Sequence, residues 1–201
     1  MSNKILIIFA HPNYESSRIN KALMVAAQHN ADVTFHDLYE HYPEQMIDVS
    51  VEQALMEAHD IVVLQHPLYW YSCPALMKSW IDAVLTYGWA HGEGGAALKG
   101  KSWVHAISSG GAAAVYQRMA YNQFSIAELL RPFEQTATLC GMDYLQPFLT
   151  QDVNQVTDAD LQMRANQYAT WLQDLVDGNL PPAVRTAHSE QIDFLANNLA
   201  I

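Results

Sequence analysis

Basic residues are scarce in this chain of 201 residues: 10 Lys and Arg stand against 21 Asp and Glu, a formal charge of −11. No basic run interrupts the acidic excess, so neither nucleic acid nor a polybasic membrane anchor is expected. Cysteine is scarcer still. Cys73 and Cys140 lack metal-ligand spacing, and two thiols in a chain of this length fit a reducing compartment better than a disulfide framework. The 9 histidines show no His-Glu-x-x-His or comparable spacing, so no metal is expected. No run reaches the roughly eighteen apolar residues that a spanning helix needs. Residues 2–10 form a short apolar run after one lysine, without a small-residue cleavage site, and the expectation is a cytoplasmic protein.

What is present is apolar sequence, at 50% of the chain, enough for one domain with a full core. Runs rich in β-branched residues at 4–10, 60–65 and 102–108 are each followed by a polar loop containing Gly or Pro and then by a helical stretch. A weaker alternating strand at 31–36, expected near a sheet edge, and an apolar one at 144–149 bring the count to five. Five strands with intervening helices predict an α/β fold with a doubly wound parallel sheet.

The helices have sharper signals. Ser16 or Ser17 can cap the first. Pro74 suits the first position of another, whose Met77, Trp80, Ile81, Val84 and Leu85 make one buried stripe. Pro132 should open a further helix that stops at Gly141. In the last, Thr157 and Asp160 resemble a capping box, Leu161, Ala165, Tyr168, Leu172 and Leu175 form the stripe, and Gly178 terminates it. Two segments fall outside this rhythm. The stretch 86–101 is rich in glycine yet carries Trp89 and His91, and a long loop of that kind is usually functional. A tail over 178–201, with Ile192, Leu195, Ala196 and Leu199 at helical spacing, reads as a short amphipathic helix.

In an open parallel sheet, ligands bind beyond the carboxyl ends of the strands where strand order reverses. The loop after the first strand holds His11, Ser17, Arg18, Ile19 and Asn20 at a helix N-terminus, a place suited to phosphate. Equally, Ser17 can serve only as a cap. The loop lacks both the Rossmann and the P-loop glycine signatures, which disfavours nucleoside triphosphate hydrolysis. The loop after the third strand, with Pro67, Leu68, Tyr69, Trp70 and Tyr71, offers three consecutive aromatics as a wall for a flat ring, or as a plug for the sheet top. Ser108, Ser109, Gly110 and Gly111 follow the fourth strand and allow close backbone approach, or a tight turn without a ligand. Together the three loops fit a mononucleotide with a large planar head, the profile of FMN.

At these residues the chain resembles the flavodoxin-like NAD(P)H quinone oxidoreductases. That family includes DT-diaphorase, the bacterial modulator-of-drug-activity quinone reductases and the cytoplasmic ancillary subunits of glutathione-gated potassium-efflux systems. The matching pieces are residues 5–20, 65–82, the Gly88-Trp89-Ala90-His91-Gly92-Glu93-Gly94-Gly95 loop, the Ser-Ser-Gly-Gly loop and residues 132–141. The glycine-rich loop is most similar to that of the potassium-efflux ancillary branch. The resemblance implies a five-stranded flavodoxin-like domain over residues 1–177. It implies FMN, with FAD as the alternative, its phosphate held by His11 and Ser17 through Asn20, its ring bordered by Pro67 through Tyr71 and its pyrimidine edge passed by Ser108 to Gly111, and NAD(P)H as co-substrate. Hydride would pass to flavin N5 and then to a quinone in a ping-pong cycle. Tyr116 matches a tyrosine that assists hydride transfer in DT-diaphorase, and Asn122 falls where that enzyme has a histidine. The resemblance also implies a homodimer, with Trp89 and His91 as candidates for contact across it. The alternative role is a flavin-binding regulatory subunit docked on a potassium-efflux membrane protein, peripheral at the inner face of the membrane.

Overall fold

A computed structural model describes residues 2–28 and 30–184 of the chain. Its centre is a parallel sheet in the order β2-β1-β3-β4-β5, with a further segment, β6, also on β4. The three central strands are β1 (Ile5–Phe9), β3 (Ile61–Pro67) and β4 (Ser102–Ser108), and every residue in them is buried. Helices cover both faces of these strands, which is why they read as unbroken apolar runs instead of alternating ones. The edge strand β2 (Val33–Asp37) is only partly buried, in keeping with its weaker pattern. β1 has β2 on one side and β3 on the other, so strand order reverses there and opens a crevice at the carboxyl ends.

The strand expected over 144–149 is instead two pieces, β5 (Asp143–Tyr144) and β6 (Phe148–Thr150), both paired with β4. Pro147 has no N–H to give the ladder, and the N–H of Gln146 goes to the Pro182 carbonyl. The chain returning from the last helix occupies this gap, with Ala183 bridged antiparallel to Leu145.

Helix α1 (Arg18–Ala27) starts at Ser17, whose hydroxyl accepts the Asn20 N–H. The short α2 (Leu38–His41) and α3 (Val49–Glu57) are capped by Asp37 and Asp48. In α4 (Ala75–Val84) Pro74 is the capping residue, one place earlier than expected. A short helix missed in the sequence, α5 (Ile126–Leu129), has a Ser125–Glu128 capping box. It stops before α6 (Arg131–Leu139), where Pro132 bars a continuous helix. α7 (Asp158–Val176) has the expected capping box between Thr157 and Asp160. It ends at Gly178 (φ 82°), with Asn179 N–H on the Asp174 carbonyl at 2.8 Å and Gly178 N–H on Leu175 at 3.2 Å, a Schellman closure.

One core layer joins Leu6, Leu64, Trp80, Trp103 and Phe133, and the other joins Ile7, Val63, Val104, Tyr168 and Leu172. At the β2 edge the buried Glu52 carboxylate accepts from His36 Nε2 at 2.8 Å, the Tyr42 hydroxyl at 2.5 Å and Trp80 Nε1 at 2.7 Å. Burial pushes this carboxyl up, but the three hydrogen bonds and the His36 ring outweigh it and leave it below its ordinary value.

The glycine-rich loop over 86–101 enters β4 at its amino end. Its Ala90 and Leu98 are buried, Trp89 Nε1 donates to Glu57 at 2.7 Å, and Lys101 Nζ donates to the Glu57 and His59 carbonyls. The amphipathic tail expected around Ile192 and Leu199 lies outside the described residues. Among the described residues no helix is long and apolar enough to cross a membrane.

Candidate functional site

The carboxyl ends of β1, β3, β4 and β6 surround a cleft of about 470 Å³. This is within the range of small-molecule sites. His11, Ser17, Arg18, Ile19 and Asn20 line one side, Pro67, Leu68 and Tyr69 another, and Ser108 and Gly110 a third. The three predicted loops therefore converge. Ser16, Val153 and Asn154 complete the lining.

A buried polar network shapes the phosphate-compatible end. Asn20 Nδ2 donates to Ser17 Oγ at 3.0 Å and to Ser108 Oγ at 3.1 Å, joining the head of α1 to the end of β4. Behind it Gln65 Nε2 donates to Asn20 Oδ1 at 3.5 Å, and the Tyr168 hydroxyl donates to Gln65 Oε1 at 2.8 Å. Asn20 thus spends its side chain on structure and holds Ser17 in place. Among the described residues the first two N–H groups of α1, those of Arg18 and Ile19, have no acceptor, as expected at a helix start. An anion there meets both N–H groups and the positive end of the helix dipole.

His11 is buried at the same end. Burial lowers its imidazole below the ordinary value, and its Nδ1 accepts the Asn13 N–H at 3.2 Å, so the neutral ring carries its proton on Nε2. The Arg18 guanidinium is turned to the Val156 carbonyl and the Asp158 carboxylate, and fastens the first loop to the head of α7. Arg18 lines the cleft, but its charge is engaged elsewhere.

The aromatic loop divides in two. Tyr69 lies in the cleft wall, its ring edge-on to His11 at 6.1 Å between centroids. Trp70 stands outside it, 93% exposed, and Tyr71 is also exposed. Both have left-handed backbones, φ 49° and 62°, at a cost on the order of 1–3 kcal/mol per residue. A buried plug pays for strain with packing, and Trp70 has none, so the plug reading fails for it. In the loop that Tyr71 reaches through Asn122, Met119, Tyr121 and Phe124 are exposed as well.

In the fourth-strand loop, Ser109 is buried, with its N–H on the Thr150 carbonyl and its hydroxyl on the Gly111 carbonyl. The two glycines admit side chains. A Cβ on Gly110 would sit 3.1 Å from Asn154 Nδ2, and one on Gly111 would sit 2.9 Å from Val115 and 3.0 Å from the Tyr116 ring. Gly111 is therefore what lets Tyr116 lie against this loop. Asn154 and Val153 were missed by reasoning from sequence because the loop after the last strand carries no glycine or aromatic signature. Its position at a strand's carboxyl end was the available signal.

A parallel sheet with a cleft at the switch point, bounded by a helix start and an aromatic turn, defines an α/β protein of the flavodoxin-like class. The chain belongs to the family with the flavodoxin-like fold, whose model matches residues 3–173. It is 49% identical to the uncharacterized NAD(P)H oxidoreductase YdeQ of Bacillus subtilis, over 90% of this chain and 91% of the relative. It is 44% identical to the glutathione-regulated potassium-efflux system ancillary protein KefG of Serratia proteamaculans, over 85% and 93%. Among solved structures it is similar to general stress protein 14 of Treponema denticola in complex with FMN, with a TM-score of 0.81 and 44% identity, covering 86% of this chain and 99% of that one. The NADPH-quinone reductase of P. pentosaceus superposes with a TM-score of 0.77 at 33% identity, covering 84% and 96%.

Proposed function

We propose that this chain is an FMN-dependent NAD(P)H oxidoreductase that reduces quinone-type acceptors. The observation that carries the reading is the cleft, which combines an anion seat at the start of α1 with an exposed aromatic turn at its other end. The FMN-bound neighbour and the relatives' names support the same assignment.

The residues fit the group. The free N–H groups of Arg18 and Ile19, with Ser17 and His11 beside them, would hold the phosphate. Pro67, Leu68 and Tyr69 would border the ring system, with Trp70 and Tyr71 at its open side. The Ser108–Gly111 loop would pass its polar edge. A bound flavin supplies two-electron hydride chemistry, which the protein's side chains lack. Tyr116, held against Gly111, is our candidate for the hydrogen bond that stabilises charge on the ring. A nicotinamide and a quinone would share the exposed face, since both are flat. Homodimerisation is part of the proposal: Trp89 and His91 sit at the amino end of β4, away from their own chain's cleft, and would act at a partner's.

Likeness to KefG supports a second reading, a flavin-bearing ancillary subunit of a potassium-efflux membrane protein. The two roles are compatible. The test is to purify the protein, identify the released cofactor by mass and follow NADPH and NADH oxidation with a benzoquinone. Flavin-loaded protein without turnover on several quinones would refute the enzyme. Co-purification with a potassium-efflux membrane protein would establish the second role.

A further inference from the structure

His66 and His105 line no part of the cleft, yet both are fully buried directly beneath the turn that forms its aromatic wall. His66 is on β3 immediately before Pro67, and His105 is on the neighbouring β4. Phe133 of α6 packs on the His105 ring at 4.7 Å between centroids, and Tyr144 of β5 packs on it at 5.7 Å. Glu134, next along α6, is paired with Arg131, and no carboxylate is hydrogen-bonded to either imidazole among the described residues.

The hydrogen bonds around this pair have only one consistent direction. The Trp103 indole can only donate, and its Nε1–H lies 3.2 Å from His105 Nε2, which must therefore be unprotonated. A neutral His105 then carries its proton on Nδ1 and donates to His66 Nε2 at 2.9 Å. His66 in turn carries its proton on Nδ1 and donates to the Pro67 carbonyl at 3.0 Å. An added proton has no seat, because at every junction it would face another donor.

The chain of bonds ends on an atom that matters to the cleft. The Pro67 carbonyl also accepts the Tyr69 N–H at 2.9 Å, so both its lone pairs are engaged, and the Leu68 N–H goes to the Ser108 carbonyl at 2.8 Å. The turn then runs into Trp70 and Tyr71, whose left-handed backbones must be held by their surroundings.

We propose that Trp103, His105 and His66 form a directed hydrogen-bond relay that fixes the Pro67 carbonyl and so positions the Leu68–Tyr71 turn against the planar ligand. His66 and His105 are positioning residues here and donate no proton to the reaction. The proposal rests on the FMN reading for its functional half. Its structural half stands without it.

Two measurements test it on the full chain. In 15N-imidazole NMR of flavin-free and FMN-loaded protein, both rings should be Nδ1–H tautomers with no titration across about pH 5.5–8, where a free histidine would titrate. A scalar coupling should connect His105 Nδ1 with His66 Nε2. An Nε2–H tautomer at either ring overturns the relay. FMN titration follows: His66→Asn, whose amide keeps a donor at the δ position for the Pro67 carbonyl, should bind within about threefold of wild type. His66→Leu should bind about tenfold or more weakly, with a changed visible circular dichroism of the flavin, because the carbonyl loses its donor. A cooperatively folded His66→Leu protein with wild-type affinity and spectrum overturns the positioning role, as does His66→Asn with the weakness expected of His66→Leu. Should His66→Leu not fold, the affinity of His66→Asn and the tautomers decide. Wild-type protein that binds no FMN would refute the flavin reading, while the tautomers of that flavin-free protein still test the relay.

Discussion

The Tyr71 hydroxyl donates to Asn122 Oδ1 at 3.2 Å, joining the aromatic turn after β3 to the loop that carries Tyr116. By resemblance Asn122 falls where DT-diaphorase has a histidine that assists hydride transfer. An amide cannot take up charge, but it can latch two loops. The latch is exposed, so its net worth is at the low end of a hydrogen bond, about 0.5 kcal/mol. Tyr71→Phe and Asn122→Ala should each weaken FMN by about two- to threefold, and the double variant no further. Fluorescence titration of FMN across this cycle checks it, and additive losses would mean that the two residues act separately.

Under the proposed function, Trp70 should set ligand binding against stability. It is almost wholly exposed with φ 49°, so in the flavin-free protein its backbone is strained and its ring gains nothing from packing. Trp70→Gly should raise the melting temperature of flavin-free protein by about 2–4 °C, on the order of 1 kcal/mol. The same change should weaken FMN by at least the roughly 0.5–1.5 kcal/mol of a lost aromatic stack. Calorimetry of the apoprotein and FMN titration give the two signs. Unchanged FMN affinity would leave Trp70 out of the site.

Several helix ends were legible in the sequence because capping is local, although the equally local Ser125–Glu128 box of α5 was missed. Thr157–Asp160 and Gly178 each act within a few residues, and β1, β3 and β4 declared their burial as apolar runs. The split of the last strand was only half legible: Pro147 is a local signal of a break, but the filling of the gap depends on Pro182 and Ala183 coming back to Leu145 and Gln146 from the far side of α7. The site was partly legible. Its three loops were visible by composition and their convergence followed from the switch-point rule. Asn154 was not, nor was the diversion of the Arg18 charge to Asp158 across 140 residues. His66 and His105 looked like scattered histidines because their pairing is set by the strand register.

Acid should destabilise the fold through buried groups. Burial pushes the His66 imidazole down to about 4, below the ordinary 6.5 expected of the unfolded chain. Between these values the unfolded state binds more protons, so stability is lost as pH falls from about 6.5 to about 4, on the order of 3 kcal/mol for this group. Burial lowers His105 in the same direction. The Glu52 carboxyl is depressed, and its contribution is present above the unfolded carboxylate value and lost as pH falls through its lower folded value. Urea midpoints at pH 7 and 4.5 should therefore fall steeply, and a flat profile would contradict the neutral buried pair.

Glu52 also predicts a variant. Its carboxylate serves three donors from β2, the segment after α2, and α4. Glu52→Gln preserves size but removes the charge, so three charge-assisted bonds become neutral ones and His36 and Tyr42 must reverse their roles or go unpaired, at about 1–3 kcal/mol. Urea unfolding measures this. Because the network lies outside the cleft, FMN affinity of the folded fraction should be unchanged.

Gly111 and Tyr116 should act as one unit in turnover. A Cβ at position 111 would come within 3.0 Å of the Tyr116 ring and 3.2 Å of its hydroxyl, so Gly111→Ala must move the ring or the loop. Tyr116→Phe removes the hydroxyl and leaves the ring in place. If that hydroxyl stabilises charge on the flavin, each change should lower kcat by about tenfold, the scale of one charge-assisted hydrogen bond. The double variant should then be no slower than the worse single one, because an absent hydroxyl cannot be displaced again. Steady-state kinetics with saturating FMN test this. Independent, multiplying losses would show that Gly111 works through the backbone it presents to the ligand, with Tyr116 as a packing residue of the rim.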